Sequence, residues 1–444
     1  MYRSITRLLV LAFFLGSAWS HAAVSLLGVG SIPANGTDLS GLTGNLENGT
    51  PKNQLGAFGS GIAYSGQGSR FLAVPDRGPN ATAYNTLVDD TTSYQARIQE
   101  LDLVISGSII TPRLVKTTLL SNETGVPLTG LSSGFDASNT SASTRFDPEA
   151  IRVSRDGQSV FISDEYGPFV YQFDRNTGRR IRVFAVPAKF KIAVPTAQSA
   201  SEISGNTSGR VANRGMEGLA ISPDGGTLIG LMQNPLLQDG GRSGLNVRML
   251  VIDIATGNTR ELVYQLANKA YGVNEIVAIN NNEFLVIERD GSAGAAAVAK
   301  RIYKINVASA TDVSAIATLP LTGLPVATVA VTKSLFIDLL EPAFGLSGVS
   351  FPEKIEGLAI GPSQPDGRLT LVVTNDNDFL SSNPNNFYVF ALDPVDLTGF
   401  SAQQFAYPAA ILPAVVPTLS ATSLALLILL LTTALAISFH RRRG

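Results

Sequence analysis

Acidic side chains recur at matching points of this chain. Glu149, Glu217, Glu275 and Glu356 each open a short apolar run, and Ser60 takes that place ahead of a fifth. A second set closes the following run of each module: Asp76-Arg77, Asp164-Glu165, Gln233-Asn234, Glu288-Arg289-Asp290 and Asn375-Asp376-Asn377-Asp378. If the two runs are antiparallel neighbours, the start of one lies beside the end of the next, and both sets converge on one end of the fold. Carboxylates packed a few ångström apart raise one another's pKa and require a compensating positive charge. Oxygen donors alone suit a hard cation, and flexible carboxylate and amide ligands favour Ca²⁺ over Mg²⁺. The expected ligands are Glu149, Glu217, Glu275, Glu356 and Asp376. Arg77, Arg214 and Arg289, next to these acids, would pair with them or clamp an oxyanion. A plainer reading has the same carboxylates accepting backbone donors and arginines at the module ends, and so stapling the fold together.

Residue types that are missing narrow the chemistry. There is no cysteine, so no disulfide supports the chain and no thiolate serves as nucleophile or ligand. The two histidines, His21 and His440, stand near the two ends, which leaves the body between them without an imidazole. Ser-His-Asp catalysis and histidine zinc sites are excluded there. Charged residues make up 15% of the chain with a net charge of −2, which argues against nucleic acid as a partner.

The elements that must position the acids read as β-strands throughout. Short apolar runs are broken by Gly, Asn and Asp-Gly turns, with no helical period of any length. Five modules are visible, their starts 58 to 89 residues apart. Each holds a strand, a tight turn such as Asp156-Gly157, Asp224-Gly225 or Asp366-Gly367, a second strand, and then a third ending in a turn such as Asp174 to Gly178 or Asp253 to Gly257. A fourth strand is visible at Arg182-Val183-Phe184-Ala185-Val186 and at Glu261-Leu262-Val263-Tyr264. Repeated four-stranded antiparallel modules predict an all-β propeller of five or six blades over residues 24–410. The strand beginning at Val24 is expected to close the ring on the last blade. Polar insertions are expected at 80–94, 122–145, 188–213 and 315–351. The aspartates of the tight turns, Asp156, Asp174, Asp224, Asp253, Asp366 and Asp393, are expected to serve the turns and no chemistry.

The ends carry addresses. Residues 1–23 combine Arg3 and Arg7, an apolar run and small residues around Ser20-His21-Ala22, the form of a signal peptide. Residues 419–439 form an uncharged apolar stretch followed by Arg441, Arg442 and Arg443 in a basic tail, 440–444, so one transmembrane helix with the body outside the cytoplasm is expected. With the linker and motif at 411–418, including Val416-Pro417-Thr418-Leu419-Ser420, this end resembles the IPTL-type sorting signals handled by exosortase-like machinery. That resemblance implies either an inner-membrane anchor or sorting to the cell surface or extracellular matrix.

The runs Phe146-Asp147-Pro148-Glu149-Ala150-Ile151, Ser163-Asp164-Glu165-Tyr166-Gly167-Pro168, Asn213-Arg214-Gly215-Met216-Glu217-Gly218-Leu219-Ala220 and Lys354-Ile355-Glu356-Gly357-Leu358-Ala359 resemble the phytase-like family, described as having esterase-like activity of phytase. The resemblance runs from about Gly56 to Leu392 and implies an exported propeller with metal-assisted phosphoesterase activity. On that reading Glu149, Asp164, Glu165 and Glu217 are catalytic, with Glu356 helping to hold the metal. Arg77, Arg214 and Arg289 bind a small phosphoester substrate. Two alternatives stay open: a calcium-dependent lactonase or ester hydrolase centred on Glu149, Asn234 and Asp376, and a non-catalytic envelope or matrix protein.

Overall fold

Turn chemistry punctuates the chain where the sequence says it should. Asp156 accepts a hydrogen bond from the Gln158 amide at 3.0 Å and Gly157 takes φ 68°, which reverses the chain between two strands. Asp174, Asp224, Asp253, Asp366 and Asp393 each accept in the same way from backbone amides two or three residues on, so all six aspartates are occupied by turns.

The computed structural model describes residues 24–136, 138 and 140–408. The expected signal peptide, sorting motif, membrane span and basic tail lie outside the described residues. Among the described residues no helix is long and apolar enough to cross a membrane. Strand β1 (Val24–Ile32) precedes four blades of four consecutive strands and a last group of three. Blade 1 is β2 (Gly61–Tyr64), β3 (Arg70–Val74), β4 (Arg97–Ser106) and β5 (Ile109–Leu119). Blade 2 is β6 (Pro148–Val153), β7 (Ser159–Asp164), β8 (Val170–Asp174) and β9 (Arg180–Phe184), and helix α1 (Ser199–Gly205) follows it. Blade 3 is β10 (Met216–Ile221), β11 (Thr227–Met232), β12 (Asn246–Asp253) and β13 (Thr259–Gln265). Blade 4 is β14 (Gly272–Ala278), β15 (Glu283–Arg289), β16 (Lys300–Asn306) and β17 (Thr332–Asp338). Blade 5 takes β18 (Ile355–Ile360), β19 (Leu369–Asn375) and β20 (Asn385–Leu392), with β1 as its outermost strand.

Each blade is an antiparallel four-stranded sheet, and the inner strands β2, β6, β10, β14 and β18 contact one another in sequence around a closed ring. The propeller therefore has five blades. The expected closure holds: Val24 pairs with Leu392 and Ile32 with Asn385, so the first strand supplies the outer edge of the last blade and the ring needs no other clasp. The apolar faces of neighbouring blades fill the space between them, as with Leu219, Met232, Val273 and Ile276 between blades 3 and 4. Close approach of the inner strands depends on glycine: a Cβ on Gly218 would sit 2.5 Å from the Asn274 carbonyl oxygen, and one on Gly61 would sit 2.6 Å from the Glu149 carbonyl oxygen.

One expected insertion was drawn too wide, because β17 lies inside 315–351 and supplies the outer strand of blade 4. The preceding segment covers the edge of blade 3, with Val313 N bonded to Glu261 O and Val331 N to Val263 O. The insertions of blades 1 to 3 meet over one mouth of the channel, where the Ser132 hydroxyl lies 2.9 Å from Val88 O and 2.7 Å from Ala197 O and can donate to either. After β20 the chain crosses the turns at the other mouth. Ser401 N, Gln404 N and Ala406 N bond to Ile279 O, Pro223 O and Arg155 O, which strap blades 4, 3 and 2 together.

Candidate functional site

In blades 2 to 5 the pairing of the inner strand slips once near its start, between Pro148 and Ile151, Met216 and Gly218, Val273 and Ile276, and Ile355 and Leu358. Such a bulge re-aims one side chain, and here the residue that follows the last pair before the slip enters the channel. Those residues are Glu149, Glu217, Asn274 and Glu356, all on the wall of one cavity of about 410 Å³. The sequence assigned the blade 4 position to Glu275. The register assigns it to Asn274, one residue earlier, and Glu275 falls where blades 3 and 5 have glycine. It does not line the cavity. Its Oε1 lies 2.9 Å from Arg152 Nη2 and accepts from the Leu219 and Ile276 amides, while burial pushes its carboxyl up to about 8.

The ends of the second strands add Asp76, Glu165, Gln233, Arg289 and Asp376 to the same wall. Ligand oxygens of Glu149, Glu217 and Glu356 all lie within 4.8 Å of one another, and those of Asp147, Glu149 and Glu165 do likewise. The two groups differ in how their charge is met. Arg77 sits against the second group, 3.2 Å from Asp147 and 3.8 Å from Glu165, and donates its own amide to Asp147 at 2.8 Å. In the first group Arg289 reaches only Glu356, at 2.6 Å. Glu217 Oε1 accepts from the neutral amides of Gln233 at 2.6 Å and Asn274 at 2.7 Å. Three buried oxygens here, Glu217 Oε2, Gln233 Oε1 and Asn274 Oδ1, have no hydrogen-bond partner among the described residues. Burying acceptors without a donor is costly, so this corner of the cavity suits a cation.

Titration follows the same map. Burial, then Glu217 and Asp147, hold the Glu149 carboxyl well above the usual range, and burial with Glu165 and Glu356 does the same for Glu217. Asp76 is also raised, by burial and by Asp376. Burial lifts Asp376 to about 7 against the pull of Lys354, which bonds it at 2.6 Å and also pairs with Asp378.

The remaining expected site residues divide. Glu165 lines the cavity, its Oε1 accepting from the Gly215 amide at 3.2 Å. Asp164 does not. It lies behind the wall and staples the chain by accepting from the amides of Asp147, Tyr166 and Gly167, with burial lifting it to about 6. Arg77 and Arg289 are committed to carboxylates, whereas Arg214 has no carboxylate within ion-pair distance among the described residues. The sequence reading missed Arg242 and Lys269, which join Arg214 on the cavity wall, exposed and likewise without an acidic partner among the described residues. Neither belongs to a repeated position, so nothing in the modular pattern marked them. The floor is thus acidic and one side of the mouth is cationic. A second hollow of about 450 Å³ adjoins it and shares Arg77, Asn213, Arg214 and Arg242.

Residues 53–379 match the model of the phytase-like family, described as esterase-like activity of phytase. The chain belongs to that family. The matched stretch of this phytase-like propeller takes in every ring residue from Ser60 to Asp376 and stops short of β20. A relative from Arthroderma benhamiae, described as an uncharacterized secreted protein, is 30% identical over 351 residues, 61% of this chain and 64% of the relative. The phytase-like chain thus spans just under two thirds of that relative's length. Among solved structures, Myxococcus xanthus glutaminyl cyclase matches at 12% identity with a TM-score of 0.36, covering 83% of this chain and 97% of its own. Kuenenia stuttgartiensis hydrazine synthase matches at 11% and 0.33, covering 76% and 80%. At these scores neither match carries an argument about activity.

Proposed function

We propose that this phytase-like propeller is a calcium-dependent phosphoester hydrolase whose reaction takes place in the acidic channel mouth. The observation that carries the reading is the convergence of Glu149, Glu217 and Glu356 around buried oxygens that lack a donor among the described residues. Carboxylate and amide oxygens with no nitrogen or sulfur donor fit Ca²⁺, which would be held by Glu149, Glu217 and Glu356 with Asn274 and Gln233 as amide ligands. When bound, the ion supplies Lewis-acid polarisation of a phosphoryl oxygen and acidifies water. The protein's own part is positioning and charge. Arg214, Arg242 and Lys269 hold the phosphate at the mouth, and Glu165, on the wall beside Glu149, takes the proton of the attacking water. Arg77 and Arg289 hold carboxylates in place and are positioning residues in this scheme. Asp376 is bonded to Lys354, which favours Glu149, Glu217 and Glu356 over a ligand set containing Asp376.

Export is part of the proposal. It is supported by the relative described as secreted and by the charge and hydropathy pattern of residues 1–23. Anchoring through 419–439 and sorting by exosortase-like machinery complete the proposed location at the envelope or cell surface.

The test is calcium titration of the purified protein, followed by turnover of phosphomonoester, phosphodiester and lactone substrates with and without chelator. Calcium-dependent phosphate release, abolished by Glu217→Gln, is expected. Ring opening without phosphate release would transfer the site to the ester-hydrolase alternative, and calcium binding with no turnover of any substrate would leave a binding protein.

A further inference from the structure

Two cavities meet where Arg214 and Arg242 stand. The hollow of about 450 Å³ shares both arginines with the acidic channel mouth, and its far side comes from the insertion of blade 1 around Asp89 and from helix α1 after blade 2. A phosphate held by the two arginines therefore has the acids on one side and this hollow on the other. Whatever the phosphate is esterified to is received by the hollow or left in solvent, and the charges on the far side decide which groups the hollow accepts.

Two carboxylates lie there, and they differ. Glu202 of α1 is committed: it pairs with Arg210 at 2.6 Å and Arg145 at 3.3 Å and accepts from the Thr196 amide at 3.0 Å. Asp89 keeps capacity in reserve. Its Oδ2 accepts from the Ser199 amide at 2.6 Å, while its Oδ1 has no donor and no cation among the described residues and is open to solvent on the hollow wall. The turn that presents it is fixed. Asp89 and Asp90 both take left-handed φ, 49° and 55°, which few residues other than glycine adopt, and Asp90 Oδ1 holds that turn by accepting from the amides of Tyr84 at 2.8 Å and Asn85 at 2.7 Å. Ala200 and Ile203 add small apolar surface to the same wall.

A ligand that satisfies both ends brings one anion for the arginines and a hydrogen-bond donor for Asp89. We propose that the hollow holds the alcohol part of a singly phosphorylated sugar or polyol, one hydroxyl of which donates to Asp89 Oδ1. This rests on the phosphoester reading of the channel mouth and adds to it the class of substrate. The volume lies in the range of small-molecule sites, ~300 to 1,000 Å³. A second phosphate at the far side is disfavoured, because it would meet the unneutralised Asp89 carboxylate, and like charges brought together in this way cost affinity. A densely phosphorylated polyol is disfavoured for the same reason.

The test separates binding from reaction by using phosphonates, whose carbon–phosphorus bond a phosphoester hydrolase leaves intact. The methylene phosphonate analogue of glucose 1-phosphate, methylphosphonate and 3-phosphonopropionate are titrated by calorimetry into the full-length protein with calcium. The sugar phosphonate should bind about tenfold more tightly than methylphosphonate, the effect of one hydrogen bond to a charged group, and 3-phosphonopropionate, with its second anion, no more tightly than methylphosphonate. Asp89→Asn, which keeps an oxygen for the Ser199 amide, should cut the advantage of the sugar several-fold and tighten 3-phosphonopropionate. Ala200→Trp, at an exposed position on the hollow wall, should remove that advantage, and neither variant should change methylphosphonate binding. Equal binding of sugar phosphonate and methylphosphonate, a preference unchanged by both variants, or tighter binding of 3-phosphonopropionate by the parent would overturn the proposal. Selective sugar binding with no turnover of glucose 1-phosphate or any other phosphoester would sink the hydrolase reading and leave this subsite standing; turnover without selectivity would do the reverse.

Discussion

Replacing Glu217 by Gln should move stability in opposite directions depending on calcium. Glu217 has carboxylate neighbours in Glu149 and Glu356, with ligand oxygens inside 4.8 Å. Two unit charges at that separation repel by about 3 kcal/mol at an effective dielectric near 20, so full ionisation of all three acids is strongly disfavoured without a cation. The metal-free protein escapes by keeping protons, and the raised Glu217 carboxyl records this. Holding a proton at pH 7 on an acid whose ordinary value is 4.5 costs at most about 3 kcal/mol, at ~1.4 kcal/mol per pH unit. Gln is neutral at no such cost and keeps an oxygen for the Gln233 and Asn274 amides. In chelator, E217Q should therefore be more stable than the parent by roughly 1 to 3 kcal/mol, or about 1 to 4 °C in melting temperature for a unit of this size. In saturating Ca²⁺ the parent should gain stability by mass action and E217Q should not. Differential scanning calorimetry of both proteins, with chelator and with calcium, reads all four values. A lower melting temperature for E217Q in chelator, or an undiminished calcium response, would refute the electrostatic argument.

Other consequences are simpler to measure. Asp164, Asp147, Asp376 and Glu275 titrate at about 6, 7, 7 and 8 in the fold against ordinary values of 3.8 and 4.5. The native state therefore binds protons before the unfolded one, and the metal-free protein should gain stability as pH falls from about 8 to about 5, seen as a rising urea midpoint. Arg214→Ala and Arg242→Ala should each raise KM for a phosphoester several-fold with kcat little changed, because on the proposed reading these cations hold the substrate and neither forms an ion pair with an acid among the described residues; a drop in kcat alone would contradict that. Gly357→Ala would place a Cβ 2.1 Å from Thr374 Oγ1 and 2.8 Å from Gly59 O, and should cost about 1 to 3 kcal/mol in a denaturant melt.

Much of the scaffold was legible because propeller blades are written in local signals. Asx-Gly turns fix hairpins by supplying positive φ, and each of the six turn aspartates sits where the letters placed it. Strand β17 escaped because an outer strand need not alternate: Leu335 is 55% exposed and the residues around it follow no two-residue period. Its neighbours at Val313 and Leu319 are apolar for another reason, since they pack on Val263 at the edge of blade 3. Blade number likewise needed the sheet pairing, because wide spacing between modules is as consistent with long loops as with a hidden blade.

The site was legible in composition and illegible in detail, and blade 4 shows why. A repeat aligned on the acidic letter puts Glu275 beside Glu149, Glu217 and Glu356, yet a bulge decides which of two adjacent side chains turns inward. Asn274 turns in, and Glu275 turns toward Arg152. The ring is therefore unequal: three carboxylates converge, while the remaining inner-strand position of blades 2 to 5 carries an amide and Gln233 supplies another from the second strand. That inequality gives the cavity its chemistry. Five equal acids would repel one another around an axis, whereas three acids flanked by amide oxygens and by Arg289 form a one-sided pocket, open toward Arg214, Arg242 and Lys269, that on the proposed reading would hold a single hard cation.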